Sequence, residues 1–438
     1  MLQGRVEPFG PVAGWTKPTR SPKLYLVASE ALSHIRICDF TGQLAGAGAT
    51  RWLAAFGAQI IRIEDPVRQG RWDILRGAPP FKDERRGIEL GSGFNNHNVN
   101  KLGITLNVRT ERGKELLAEL VPLCDAVTEN FAAGVLEAWG FGFDRLAELR
   151  PDIVYVTNTG FGHTGPYRWF KSWGPIAQAV SGITHQSGLN GEPPAGWGFS
   201  YLDHTGGYYM AMAIMMALWH RDQTGEGQWV DLSTTEAAAN LHGADLLDWS
   251  VNARSPRADD RPDSNRSSSP AMAPHGVYRC AGNDNWVAIA CRDDNDWESL
   301  RSVIDHPKLG AADFETLAGR LAHQDTIDEA INDWTSTRNR WPIASELQDV
   351  GVPAAPVLRP AERIDGDIAT NHWGLWPMVD HAEMGGVRVD GQPVHFTKTD
   401  WSIDRATPTL GQDNNYVFGE LLGLGSDEIE QLADEGVI

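Results

Sequence analysis

The chain has 438 residues, 41% of them hydrophobic and 22% charged, so it can bury one or more large cores. Its 38 Lys and Arg face 58 Asp and Glu, a formal net charge of −20, which argues against a nucleic-acid partner because a phosphate backbone would be repelled. Four scattered cysteines, with no Cys-x-x-Cys, His-Glu-x-x-His or paired-His spacing, suggest neither a disulfide framework nor a metal site.

The first residues lack the basic start and apolar core of a signal peptide. No apolar run reaches the roughly 18 residues of a membrane span. The expectation is a cytoplasmic protein with no membrane partner. Residues 1–33 read as an arm, with prolines and basic residues and no period. From residue 34 strands and helices alternate. Ile35 to Phe40 is a predicted strand, Ala45 to Phe56 a helix, and Gln59 to Glu64 a second strand ended by Asp65-Pro66. Residues 67–98 are polar and Gly-rich, a long ordered loop. Ile104 to Val108 is a short strand, Glu111 to Leu120 a helix, and Asp125 to Thr128 and Ile153 to Asn158 further strands. This β-α-β rhythm predicts an α/β fold with a doubly wound parallel sheet over residues 34–248.

Thr205 to Arg221 is apolar nearly all round, the pattern of a helix buried in a large domain or a subunit interface. Gln228 to Leu232 reads as a strand and Thr234 to Leu247 as a helix. A polar linker over 249–272 leads to a smaller α+β domain over 273–375. Residues 376–438 read as a return segment that completes the large domain.

Two motifs carry chemistry. Gly46-x-Gly48 after the first strand, with Glu64 ending the second, imitates a dinucleotide-binding fingerprint, but its third glycine is replaced by Arg51. Nicotinamide binding, tight strand–helix packing and a nucleotide site of another kind all stay open on these residues. The second is the run 159–182, TGFGHTGPYRWFKSWGPIAQAVSG. With it go Asn98 to Asn107 (NVNKLGITLN), Glu129-Asn130-Phe131 followed by Gly134 and Gly140, and Thr224 to Ser233 (TGEGQWVDLS).

Together these segments resemble the family III coenzyme A transferases, from about residue 35 to the end. The resemblance implies a large doubly wound domain built from both chain ends, a smaller α+β domain, and two subunits threaded through each other as an interlocked dimer. It implies no permanently bound cofactor, with a coenzyme A thioester as substrate. Ala45 and Leu106 would line the adenine, Asn130 and Phe131 the pantetheine side. Asp65 stands where the family often has a basic residue, so Arg62, Lys101 or Arg109 would have to compensate for it near the phosphates.

The family's nucleophile is an aspartate in a Tyr-Asp-x-x-x-Gln-Ala frame. Here that frame reads Trp173-Gly174-Pro175-Ile176-Ala177-Gln178-Ala179, and Gly174 has no side chain to attack with. Some members, the succinyl-CoA:(R)-benzylsuccinate transferase among them, pair two related chains. The expectation is therefore a transferase subunit, exchanging coenzyme A between an acyl-CoA such as succinyl-CoA and an organic acid. It would be the non-catalytic chain of a heterodimer or heterotetramer with an Asp-bearing paralogue, or else part of a homodimer. The alternatives are an acyl-CoA-binding regulatory protein, and a lyase or hydratase using Asp203 or a histidine (His163, His185 or His204) without covalent catalysis. Asp203 reads first as an N-cap of the following helix. Trp169, Phe170, Trp173, Trp197, Phe199 and Tyr201 suggest either an apolar acyl pocket or ordinary core aromatics.

Overall fold

The computed structural model describes residues 31–188, 191–196, 198, 200–255, 257 and 265–438. Most of the expected arm, and Trp197 and Phe199, lie outside them. Two compact units result, one of residues 1–183, 197–243 and 366–438, the other of 184–196 and 244–365.

The parallel sheet of the first unit has six strands, β1 (Arg36–Asp39), β2 (Gln59–Glu64), β3 (Leu102–Thr105), β4 (Ala126–Glu129), β5 (Val154–Thr159) and β6 (Gln228–Ser233). Their order is β3-β2-β1-β4-β5-β6 and every pairing is parallel. Helices cover both faces, which is why the strands read as near-continuous apolar runs. Successive residues point to opposite faces. Cys38, Ile61, Val127 and Tyr155 pack on one side with Leu116, Leu117 and Leu120. Ile37, Ile60, Val154 and Val156 pack on the other with Ala49, Leu53, Met210 and Ile214. The two apolar layers explain why one sheet supports helices from distant parts of the chain.

Three strand and helix expectations shift. The third strand begins two residues early, at Leu102, because Gly103 and Ile104 pair with Arg62 and Ile63. The stretch after β6 is two helices, Thr234–Ala239 and Gly243–Asn252, rather than one. The long apolar helix runs Tyr201–Thr224 and is buried on one face only: Tyr208, Met212, Met216 and Trp219 stand exposed.

The return segment closes the outer edge of β3. The Gly103 N–H donates to Asp413 Oδ2 (2.7 Å), Thr105 N–H to Asn414 Oδ1 (2.9 Å) and Asn107 N–H to the Val437 carbonyl (2.7 Å). These bonds satisfy backbone groups that an edge strand would leave open.

The second unit contains an antiparallel sheet in which Trp286–Ala290 lies between His275–Arg279 and Ala354–Pro356. Its core joins Tyr278, Val287, Ile289, Trp297, Leu300, Ile327, Ile331, Ile343 and Leu347. Among the described residues no helix is long and apolar enough to cross a membrane.

Candidate active site

Because β1 sits between β2 and β4, the chain leaves the C-terminal ends of β1 and β4 in opposite directions and opens a crevice there. The Asn130 side chain clasps the two loops: its Oδ1 accepts from Gly42 N–H at 2.7 Å and its Nδ2 donates to the Gly42 carbonyl at 3.0 Å. A β-carbon on Gly46 would stand 2.5 Å from Thr41 Cβ and 2.8 Å from Asn130 Cγ. Gly46 is thus demanded by this close approach. At the fingerprint's third position, the buried Arg51 donates to the Asp390 carbonyl. Glu64, the acid of that fingerprint-like pattern, is fully buried and held by Arg76 at 2.8 and 2.6 Å. The dinucleotide reading loses its acid.

Of the residues that the resemblance points to for coenzyme A, Ala45 opens the helix Ala45–Ala55 beside the crevice. Asn130 is the clasp, and Phe131 packs edge-on against Trp72 and Trp139 at 5.4 and 5.3 Å. Leu106 is 1% exposed within the core, and Arg109 is exposed after β3. Asp65 caps its own turn, accepting from Val67 N–H at 2.8 Å. Two expected compensators are spent internally. Arg62 pairs with Asp73 at 2.9 Å, and Lys101 is enclosed by Asp39, Thr50, Asn98 and the Ala47 carbonyl. Burial pushes the Lys101 ammonium down to about 8.

The sequence reading missed a cleft of about 520 Å³ in the 67–98 loop, lined by Arg71, Arg76, Arg86, Gly77, Gly87 and Ile88, among others. Arg76 is bound to Glu64 and Glu89, whereas the Arg71 and Arg86 side chains are exposed. A run of arginines in an acidic chain was the available signal.

Gly174 is the first residue of the helix Gly174–Ser181 and is buried. That helix packs on the Tyr201–Thr224 and Thr234–Ala239 helices. Asp203 does not cap. Ser200 holds the N-cap position and Asp203 is the third residue of the long helix. Its carboxylate turns toward the other helix instead: a β-carbon on Gly174 would stand 2.6 Å from Asp203 Oδ2 and 3.0 Å from its Cγ. Burial raises the Asp203 carboxyl above its ordinary value, and a hydrogen bond with Ser200 and the charge of His204 offset this only in part.

Among the described residues, four buried polar atoms at the end of β5 and on two helices packed together have no partner: Asn158 Nδ2, Thr159 Oγ1, Gln178 Nε2 and Thr235 Oγ1. They belong to the end of β5, the start of the helix after β6, and the helix that Gly174 begins. Gln178 is four residues after Gly174, so the two share a helix face. Buried polar groups without partners are costly, and such sites fit a polar ligand.

The Gly-rich turn beyond β5 is pinned from β6. Asp231 accepts from His163 N–H (2.7 Å), Thr164 N–H (3.0 Å) and the Thr164 hydroxyl (2.9 Å). Gly162 and Gly165 take positive φ values of 77° and 82° there. His163 Nε2 lies 3.1 Å from Glu129 Oε1; burial alone would lower the imidazole, but Glu129 raises it overall. His204 stacks near His97, ring centres 5.6 Å apart, and His185 is exposed in the second unit. Trp169, Phe170, Trp173 and Tyr201 are all exposed rather than core aromatics, Trp173 by 64%. Among the described residues no cluster of three or more His, Cys, Asp or Glu is placed to hold a metal.

The description CoA-transferase family III matches residues 32–414, and the chain belongs to that family. It is an enzyme family whose members take coenzyme A thioesters as substrates. The chain is 32% identical over 424 residues to a formyl-CoA:oxalate CoA-transferase of Streptomyces coelicolor, covering 94% of this chain and 100% of that one. It is 29% identical to a succinyl-CoA–L-malate CoA-transferase beta subunit of Chloroflexus aurantiacus, covering 93% and 98%. Among solved structures, a CaiB/BaiF family protein from Brucella suis superposes with a TM-score of 0.78 at 28% identity, over 88% of this chain and 98% of that one.

Proposed function

We propose that this chain moves coenzyme A from a dicarboxylic acyl thioester of the succinyl-CoA kind to an organic acid, with position 174 taking no covalent part. The observation that carries this reading is the set of unpartnered polar atoms on Asn158, Thr159, Gln178 and Thr235, of which Gln178 shares a helix face with the side-chain-free Gly174. They offer hydrogen bonds to a carboxylate or thioester carbonyl. Arg71 and Arg86 supply positive charge for the phosphates that Asp65 cannot. Likeness to several succinyl-CoA-dependent relatives, with D-citramalate, mesaconate or L-malate as the other acid, supports the donor. The exposed Trp169, Phe170 and Trp173 favour an acceptor with an apolar or aromatic body.

A second reading is that an Asp-bearing paralogue joins this chain and provides the attacking carboxylate. Gly174 itself and the beta-subunit relative favour it. The exposed Tyr208, Met212, Met216 and Trp219 offer an apolar face for an interlocked partner of either kind.

The test is isotope exchange. Labelled succinate should enter succinyl-CoA in the presence of the purified protein, alone or with its paralogue. Absence of exchange in both preparations would remove the transfer reading.

A further inference from the structure

We infer that His163 acts, as an imidazolium, as a positioning residue. It locks the Gly-rich turn after β5 onto the Glu129 carboxylate at the end of β4, and so fixes the Asn130–Phe131 loop for coenzyme A. The inference rests on the transfer reading only in taking that loop as a wall for coenzyme A.

His163 is held on two sides. Its backbone N–H is fixed from β6 by Asp231 at 2.7 Å. Its ring turns the other way, toward β4, with Nε2 3.1 Å from Glu129 Oε1 and Nδ1 3.7 Å from Glu137 Oε1. The ring and the Glu129 side chain are both closed off from solvent. Their contact is a close charge pair without the alignment of a hydrogen bond. One residue thus bridges the two strands that flank β5.

The crevice loop hangs on the same carboxylate. Glu129 Oε2 accepts from Phe131 N–H at 2.6 Å, and Oε1 accepts from the Tyr155 hydroxyl at 3.2 Å. The residue between, Asn130, clasps Gly42 across the crevice. A shift of the Glu129 carboxylate therefore moves the Asn130–Phe131 peptide.

Charge decides the state of the ring. Three carboxylates face it: Glu129 from β4, Glu137 from the short helix Val135–Ala138, and Asp231 from β6. Tyr155 on β5 faces Glu129, and burial keeps its hydroxyl protonated. Among the described residues no Lys or Arg forms an ion pair with any of these three acids. Burial alone would lower the imidazole, and Glu129, Glu137 and Asp231 raise it overall. Burial raises the Glu129 carboxyl too, and His163 opposes that. An imidazolium beside a buried carboxylate is a matched pair. Once the ring loses its proton, Glu129 is a buried charge without a counterion, with Glu137 repelling it. The turn then lets go of the loop.

The experiment measures affinity and the proton on the ring. The protein as purified is titrated calorimetrically with coenzyme A from pH ~6 to ~9, beside His163→Gln and Glu129→Gln. Wild-type affinity should fall about tenfold as the ring is deprotonated. His163→Gln should bind about tenfold more weakly at the acid end and lose that fall. The histidine resonance missing from carbon-13 spectra of His163→Gln reports the ring in the wild type. By reciprocity its midpoint should rise by about one pH unit when coenzyme A binds, and it should drop in Glu129→Gln. A fall in affinity retained by His163→Gln, or a ring midpoint unmoved by coenzyme A or by Glu129→Gln, overturns the inference. So does failure of coenzyme A to bind at any pH. Succinate exchange in the same preparations judges the transfer reading separately. Exchange with affinities indifferent to position 163 leaves that reading standing without the inference. Affinity that follows the His163 proton, without exchange, supports the inference and sinks the transfer reading alone.

Discussion

Glu64 and Arg76 form a bidentate ion pair, 2.8 and 2.6 Å, in a place that solvent does not reach. Arg76 also reaches Glu89, and its guanidinium lies over the Phe94 ring. Burial lowers the affinity of Arg76 for its proton, and Glu64 and Glu89 more than restore it. Glu64→Gln should leave a buried guanidinium short of charge and cost about 3–5 kcal/mol. The midpoint of urea unfolding would show it, with an unchanged slope.

Gly174→Ala places a methyl 2.6 Å from Asp203 Oδ2, too close for both to stay. The short Asp203 side chain must turn away, a loss of about 1–2 kcal/mol. In an Asp203→Ala background the same change should cost almost nothing. A double-mutant cycle measured by chemical denaturation gives the coupling. Additive values would mean that the two positions do not compete for space.

His97 is held neutral. Burial pushes its imidazole down to about 4, the Gly93 carbonyl bond opposes that only partly, and Arg51 and His204 push the same way, against Asp390. The unfolded chain takes up this proton near pH 6.5 and the folded chain only near pH 4. Between those values the unfolded state binds more protons, so stability falls as the solution is acidified from about 6.5 to 4 and levels below that. The difference corresponds to about 3 kcal/mol. His97→Gln should flatten that part of the stability–pH curve, read from thermal midpoints at matched ionic strength.

Arg71 and Arg86 flank the cleft in the 67–98 loop without a buried partner of their own. If they meet phosphate, Arg71→Ala and Arg86→Ala should each raise KM for the acyl-CoA about tenfold and leave kcat nearly unchanged. The effect should shrink as salt is added. Initial rates at several salt concentrations check both parts.

Much of the fold was legible because its signals are local. Alternating apolar strands and helices gave the parallel sheet, and individual motif residues turn out to have simple jobs. In TGEGQWVDLS, a β-carbon on Gly227 would strike the Ile153 carbonyl at 2.2 Å, Asp231 ties down the Gly-rich turn, and Ser233 caps the next helix. The site was harder. Nothing in the spacing of Gly174 and Asp203, 29 positions apart, says that they share one pocket; the packing of two helices decides it. Asp203 looked like a cap because the helix start was placed four residues late, at Thr205 instead of Tyr201. The arginine cleft went unseen because loop geometry has no period. Lys101 and Arg62 were misjudged because a lone basic residue in a sequence does not reveal whether it is paired inside the protein.

The long-range stitching of β3 has a consequence for biosynthesis. Gly103 waits for Asp413, 310 positions later, before its N–H is satisfied. On the ribosome the first sheet must therefore persist with one raw flank while the whole second unit is made. The nascent chain during that interval is the form most exposed to clumping, and the one that a chaperone would be expected to shield.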